Sequence, residues 1–113
     1  MPYIKSDDGR REALQRGEPA LTAGELNYQL FYNIKHSNYD RDIIKWLVDR
    51  FLGKSPNYQR YNDMTGALVR CVKEIRRRLP LESEIILIDI MESYDDEIAK
   101  YEDTKILENR DVE

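Results

Sequence analysis

The stretch that most constrains this chain is Asn57 to Leu79, NYQRYNDMTGALVRCVKEIRRRL. Its apolar residues Tyr61, Met64, Leu68, Cys71, Val72, Ile75 and Leu79 recur mainly at gaps of three and four, which lines them along one face of an α-helix. The remaining circumference carries Arg60, Asp63, Arg70, Lys73, Glu74, Arg77 and Arg78, which this pattern sends to solvent. Gly66 falls in mid-helix at a cost of about 1 kcal/mol relative to Ala, so a close helix–helix approach or a ligand is expected beside it. Ser55 or Asn57 caps this helix and Pro80 ends it.

Two shorter helices are expected before it. Thr22 followed by Glu25 is a capping box that opens a helix to about Lys35, with Leu26, Leu30, Phe31 and Ile34 inward. Asp40 caps a second run, in which Ile43, Ile44, Leu47, Val48, Phe51 and Leu52 form the apolar stripe and Gly53 is the C-terminal cap. Trp46 lies beside that stripe and reads as a core or interface anchor. The first 21 residues read as an arm with at most a short helix over REALQR, closed by Gly17 and Pro19. From Leu81 to about Leu107 the spacing of Leu87, Met91, Tyr94, Ile98 and Tyr101 is a heptad-like seam on one long helix. Continuous, it would measure about 40 Å, more than a domain of this size covers, so these five residues are the candidate interface of a homo-oligomer. The expected architecture is all-α: one helical domain over residues 1–113, with an N-terminal arm at 1–21, a long C-terminal helix and a polar tail at 108–113.

Composition narrows the function classes. The chain has 113 residues, room for one core, and no apolar run reaches the roughly 18 residues that span a bilayer. The first residues lack the apolar segment of a secretory signal, so a cytoplasmic location and no membrane partner are expected. With one cysteine, Cys71, and one histidine, His36, neither a zinc site nor a Cys–His nucleophile is expected, and no cofactor or metal is assigned. The net charge of −4 conceals a split. Residues 1–80 hold 15 basic against 10 acidic side chains, and residues 81–113 hold 3 against 12. Either the acidic segment packs on the basic one, or the basic part binds an anion such as a nucleotide; duplex DNA is not an expected partner.

Two constellations carry candidate chemistry. Asp89, Glu92 and Asp96 share one face of the expected last helix, as in all-α Mg²⁺-dependent nucleotide hydrolases, although no paired acids appear elsewhere to complete such a site. Tyr3, Tyr28, Tyr32, Tyr39, Tyr58 and Tyr61 lie close in sequence to Arg11, Lys35, Arg41 and Arg60, a composition that suits stacking on a base with cations on its phosphates. The same tyrosines suit helix boundaries and subunit interfaces.

The pieces MPYI at residues 1–4, AGELNY at 23–28, YND and GAL within 61–68, and the tail KYEDTKILENRDV resemble a family of small phage and bacterial proteins of unknown function. That family's tail is similar to YEDKKIKENGDV. The chain departs from the family in an apparent insertion at about 78–98 and in Arg110, which stands where the family has Gly. The resemblance implies a compact helical, phage-associated protein, and points to Tyr3, Glu25, Asn27, Tyr28, Asn62, Asp63, Tyr101, Glu102 and Asp111. With Arg60 and Tyr61 from the basic–aromatic pattern, the candidate ligand-binding set is Tyr3, Glu25, Asn27, Tyr28, Arg60, Tyr61, Asn62, Asp63, Tyr101 and Glu102. The leading expectation is a non-catalytic phage accessory protein that binds a host-derived ligand, a nucleotide signal being one candidate, or a host protein, with counter-defence as one candidate role. A Mg²⁺-dependent hydrolase and a structural or assembly protein are the alternatives.

Overall fold

The computed structural model describes residues 9–36, 40–79 and 81–109. Within these, six α-helices follow one another: α1 (Gly9–Gln15), α2 (Ala23–Lys35), α3 (Arg41–Leu52), α4 (Tyr58–Arg78), α5 (Ile85–Glu92) and α6 (Asp95–Asn109), with one 3₁₀ turn, Leu81–Glu84, ahead of α5. No strand occurs among the described residues. The fold is all-helical, as the apolar spacing predicts.

The caps follow side-chain chemistry. The Thr22 hydroxyl accepts from the Glu25 backbone N–H at 3.1 Å, Asp40 accepts from Asp42, and Asn57 rather than Ser55 caps α4 by accepting from the Arg60 N–H at 2.8 Å. Each oxygen satisfies a donor that the first helical turn leaves unpaired. Gly53 closes α3 at φ 78°, a region costly for any residue with a Cβ.

The core forms where α2 lies against α1, α3 and α4, and where α5 adds to α3 and α4. Leu14, Leu26, Leu30, Ile34, Ile44, Met64, Leu68, Ile75, Leu87 and Ile90 are fully enclosed. Every residue of α2 from Leu26 to Phe31 is buried, polar ones included, because neighbours cover it on several sides. The buried amide of Gln29 donates to the carbonyls of Leu14 at 2.9 Å and Glu18 at 2.8 Å, which clamps the end of α1 and the following turn onto α2. The docked part of the expected N-terminal arm is therefore core: Ala13, Leu14 and Ala20 are buried.

Several details depart from the sequence reading. Glu74, assigned to the solvated face of α4, is buried and paired with Arg77 and Arg78. Ile43 is exposed. Trp46 stands outside the core, about half exposed with Arg50 stacked over its ring, which corrects the core alternative of its two expected roles. Gly66 has open space where a Cβ would point, so among the described residues no helix approaches it.

The largest correction concerns the last segment, where three pieces replace one long helix. At the joint the Ser93 hydroxyl donates to the Ile90 carbonyl at 2.6 Å, and the Tyr94 N–H bonds the Met91 carbonyl at 3.3 Å in a tighter, i−3 pattern. A serine that bonds the preceding turn competes with the regular ladder and bends the helix. Tyr94 turns inward here: its hydroxyl donates to Asp49, and the Lys45 ammonium lies 3.1 Å from that oxygen and 4.5 Å from the ring centroid. Burial and the Asp49 carboxylate push the Tyr94 phenol well above its usual range. Leu87 and Tyr94, expected on a seam facing another subunit, are buried in this chain's own core, Met91 and Ile98 are half-buried, and Tyr101 lies at the surface. The ion pairs Arg41–Asp89 and Arg76–Glu84 bind the acidic segment to the basic one within the same chain.

Candidate functional site

Along α2, Tyr28, Tyr32 and His36 recur every four residues, which stacks their side chains on one side of the helix. The Tyr28 and Tyr32 ring centroids are 6.2 Å apart with planes 21° from parallel, and Tyr32 and His36 are 4.4 Å apart. Phe31 and Lys35 sit on the neighbouring row. α1 brings Arg11 over the Tyr28 ring at 5.4 Å, and the C-terminal end of α4 brings Arg78 over Phe31 at 4.8 Å. These seven residues line a cleft of about 320 Å³.

Its floor is rigid and its rim charged. Tyr28 and Phe31 are buried, and the Tyr28 hydroxyl accepts from the Gln15 amide at 2.8 Å, which fixes the ring. Lys35 and His36 are exposed at the mouth. Three cations, Arg11, Lys35 and Arg78, and four aromatic rings meet here, and no carboxylate is among the described lining residues. The nearest acid on α4 is Glu74, which accepts from Arg77 at 3.0 Å and lies 3.7 Å from Arg78. Burial works to raise its carboxyl, but the Arg77 hydrogen bond and the charges of Arg77 and Arg78 outweigh it and hold it below the usual range. One carboxylate thus offsets part of two guanidiniums. A lining of cations and rings attracts anions and holds a planar group by stacking.

Of the nine candidate ligand residues that the structure describes, only Tyr28 lines this cleft. Glu25 is a structural anchor: it takes a two-point hydrogen bond from Arg10, at 2.9 and 2.7 Å, and a third from the Leu21 N–H at 2.9 Å. The Arg10 bond, opposed by partial burial and aided by Leu21, keeps its carboxyl below the usual range. Arg60 bridges Phe51 and Leu21 by their carbonyls at 3.0 Å each and covers the Phe51 ring. Asn27 is buried, with its side-chain oxygen unpartnered among the described residues. Asp63 accepts from Gln59 on its own helix, while Asn62 and Glu102 are exposed. Tyr61 and Tyr101 meet at 5.4 Å and join α6 to α4, helped by a Tyr101 hydroxyl bond to the Pro56 carbonyl at 2.7 Å. A second, shallower hollow of about 320 Å³ borders this pair, lined by Glu97 and Lys100 as well, so its charge is mixed. Tyr3, Tyr39 and Asp111 lie outside the described residues.

Tyr32, one of the tyrosines of the basic–aromatic pattern, and Arg11 and Lys35, named for their sequence proximity to those tyrosines, do come together. Phe31, His36 and Arg78 were not expected there. The four-residue repeat of rings at 28, 32 and 36 was the available signal for His36, whereas only the crossing of α4 over α2 delivers Arg78. Asp89, Glu92 and Asp96 do not converge as a continuous helix would require, because the joint at Ser93–Tyr94 intervenes and Asp89 is paired with Arg41. Among the described residues no group of three or more His, Cys, Asp and Glu side chains is placed to hold a metal ion, and no helix is long and apolar enough to cross a membrane. Cys71 is enclosed in the core, where burial pushes its thiol up to about 12. No family model, curated protein or solved structure matches this chain.

Proposed function

We propose that this chain is a non-catalytic binding protein that takes a nucleotide-like anion in the Tyr28–Tyr32–His36 cleft. One observation carries the reading: three cations and four rings converge on one pocket-sized cleft with no carboxylate among its described lining residues. The rings offer a stacking surface to a planar base, and Arg11, Lys35 and Arg78 offer charge to its phosphate. The described lining groups hold and neutralise, and among the described residues no group of acids is placed to bind Mg²⁺. The resemblance to small phage proteins suits a cytoplasmic role in which the protein, as a homo-oligomer, sequesters a host nucleotide signal and so blunts a defence response.

Isothermal titration calorimetry against mono-, di- and cyclic nucleotides tests the reading. Binding is expected to weaken about tenfold or more in Tyr32→Ala, the range for losing one aromatic–base stack, and to fall with added salt as phosphate contacts are screened. Lys35→Glu weakens it further by reversing a rim charge. Absence of binding by every nucleotide up to about 1 mM refutes the nucleotide reading. Conversion of a bound nucleotide to product in the presence of Mg²⁺ refutes the non-catalytic one.

A further inference from the structure

On a different side of α4 from the cleft, α4 and α5 leave an apolar groove. It is lined by Val69, Val72, Lys73 and Arg76 of α4 and by Ile88 and Met91 of α5, with a volume of about 290 Å³. Val69 is 38% exposed and Ile85, at the start of α5, is 61% exposed. Exposed aliphatic residues flanking a furrow of buried and half-buried ones mark a surface that gains by being covered.

The charges beside it indicate the cover. Lys73 stands on the α4 wall, four residues from Val69, and Glu92 stands on α5, four residues from Ile88, so each shares a face with the groove's apolar residues. Both are exposed, and neither has an ion-pair partner among the described residues. One wall therefore offers an uncompensated cation and the other an uncompensated anion. A surface of that kind complements itself: a two-fold axis across the groove sets α4 of one copy against α5 of the other, and a Lys73–Glu92 pair forms twice for one apolar contact. We infer that a second copy of this chain covers the α4–α5 groove, through Val69, Val72, Ile85, Ile88 and Met91 with reciprocal Lys73–Glu92 pairs. Arg78 lies about 140° around the α4 axis from Lys73, so the dimer leaves both clefts open, and the assignment stands independently of what the cleft binds.

Sedimentation velocity over a concentration series, on the full chain and on the exposed-site variants Lys73→Glu, Glu92→Lys, Ile85→Asp and the double swap Lys73→Glu/Glu92→Lys, tests this. A reversible dimer is expected. Each single reversal, which acts at two symmetric positions, weakens it on the order of tenfold, and the double swap restores it. Ile85→Asp dissociates it at any salt, whereas the charge variants converge on the parent as salt rises. Circular dichroism unchanged across the set keeps misfolding separate from dissociation. A parent that is monomeric throughout overturns the inference, as does an oligomer indifferent to Lys73→Glu and Ile85→Asp, or a double swap no tighter than the singles.

Discussion

Replacing Glu25 with Ala tests whether this residue is a strut or a ligand contact. In the folded chain its carboxylate accepts from Arg10 at two points and from the Leu21 N–H, so three charge-assisted bonds disappear together. Hydrogen bonds to charged groups contribute about 1.5–3 kcal/mol each when well enclosed, but this pair is partly wet. The Arg10 side chain is 30% exposed and can rehydrate when its partner is removed, so the added cost of a stranded buried charge does not apply. A loss of about 2 kcal/mol follows, or roughly 8 °C in melting temperature for a domain of this size. The pH dependence supplies a second check. The folded carboxyl is depressed below its unfolded value, so its contribution is complete above the unfolded pKa of about 4.3 and fades as pH falls through the folded one. Urea unfolding of parent and Glu25→Ala, followed by far-UV circular dichroism, should give curves well separated near neutrality that converge in acid. A difference under about 0.5 kcal/mol at neutral pH, or one that does not shrink in acid, refutes the account of Glu25 as the tie between α1 and α2.

Two further expectations concern α4. Gly66→Ala should stabilise the protein by about 0.5–1 kcal/mol, since the new methyl enters open space on a helical backbone; a destabilised variant by the same urea assay would mean that something packs there. Cys71, with its thiol pushed up to about 12, should resist a disulfide reagent at mildly alkaline pH in the native protein and react readily in urea; rapid native labelling would refute its burial.

Helix positions were legible in the sequence because each rests on local signals: Thr22, Asp40 and Asn57 cap the helices expected of them, and the apolar stripes of α2 and α4 are inside. Errors arose where a longer-range contact overrode a local pattern. The spacing through Leu87, Met91, Tyr94 and Ile98 fits a continuous helix, but the Tyr94 hydroxyl finds Asp49, 45 residues earlier in the chain, and Ser93 bonds back to Ile90, so the helix breaks there. Glu74 belongs to the polar face by composition, yet the two arginines that follow it on the same helix allow its burial. The cleft was half legible. A helical repeat writes Tyr28, Tyr32 and Lys35 onto one surface, whereas Arg11 and Arg78 come from two other helices, and no spacing within the chain reports such a meeting.

The clamp of Gln29 on the end of α1 has a thermodynamic consequence for the cleft. Seven residues are too few to hold a helix in water, so α1 exists as a helix because α2 receives it. Arg11 rides on that borrowed helix. An anion seated against Arg11 would therefore favour chains in which α1 is docked, and by linkage would tighten that docking by as much as docking tightens its own binding. Occupancy of the cleft can then be read at a distance, as slowed amide exchange along α1, and any weakening of the Gln29 or Glu25 ties lowers affinity without touching the ligand.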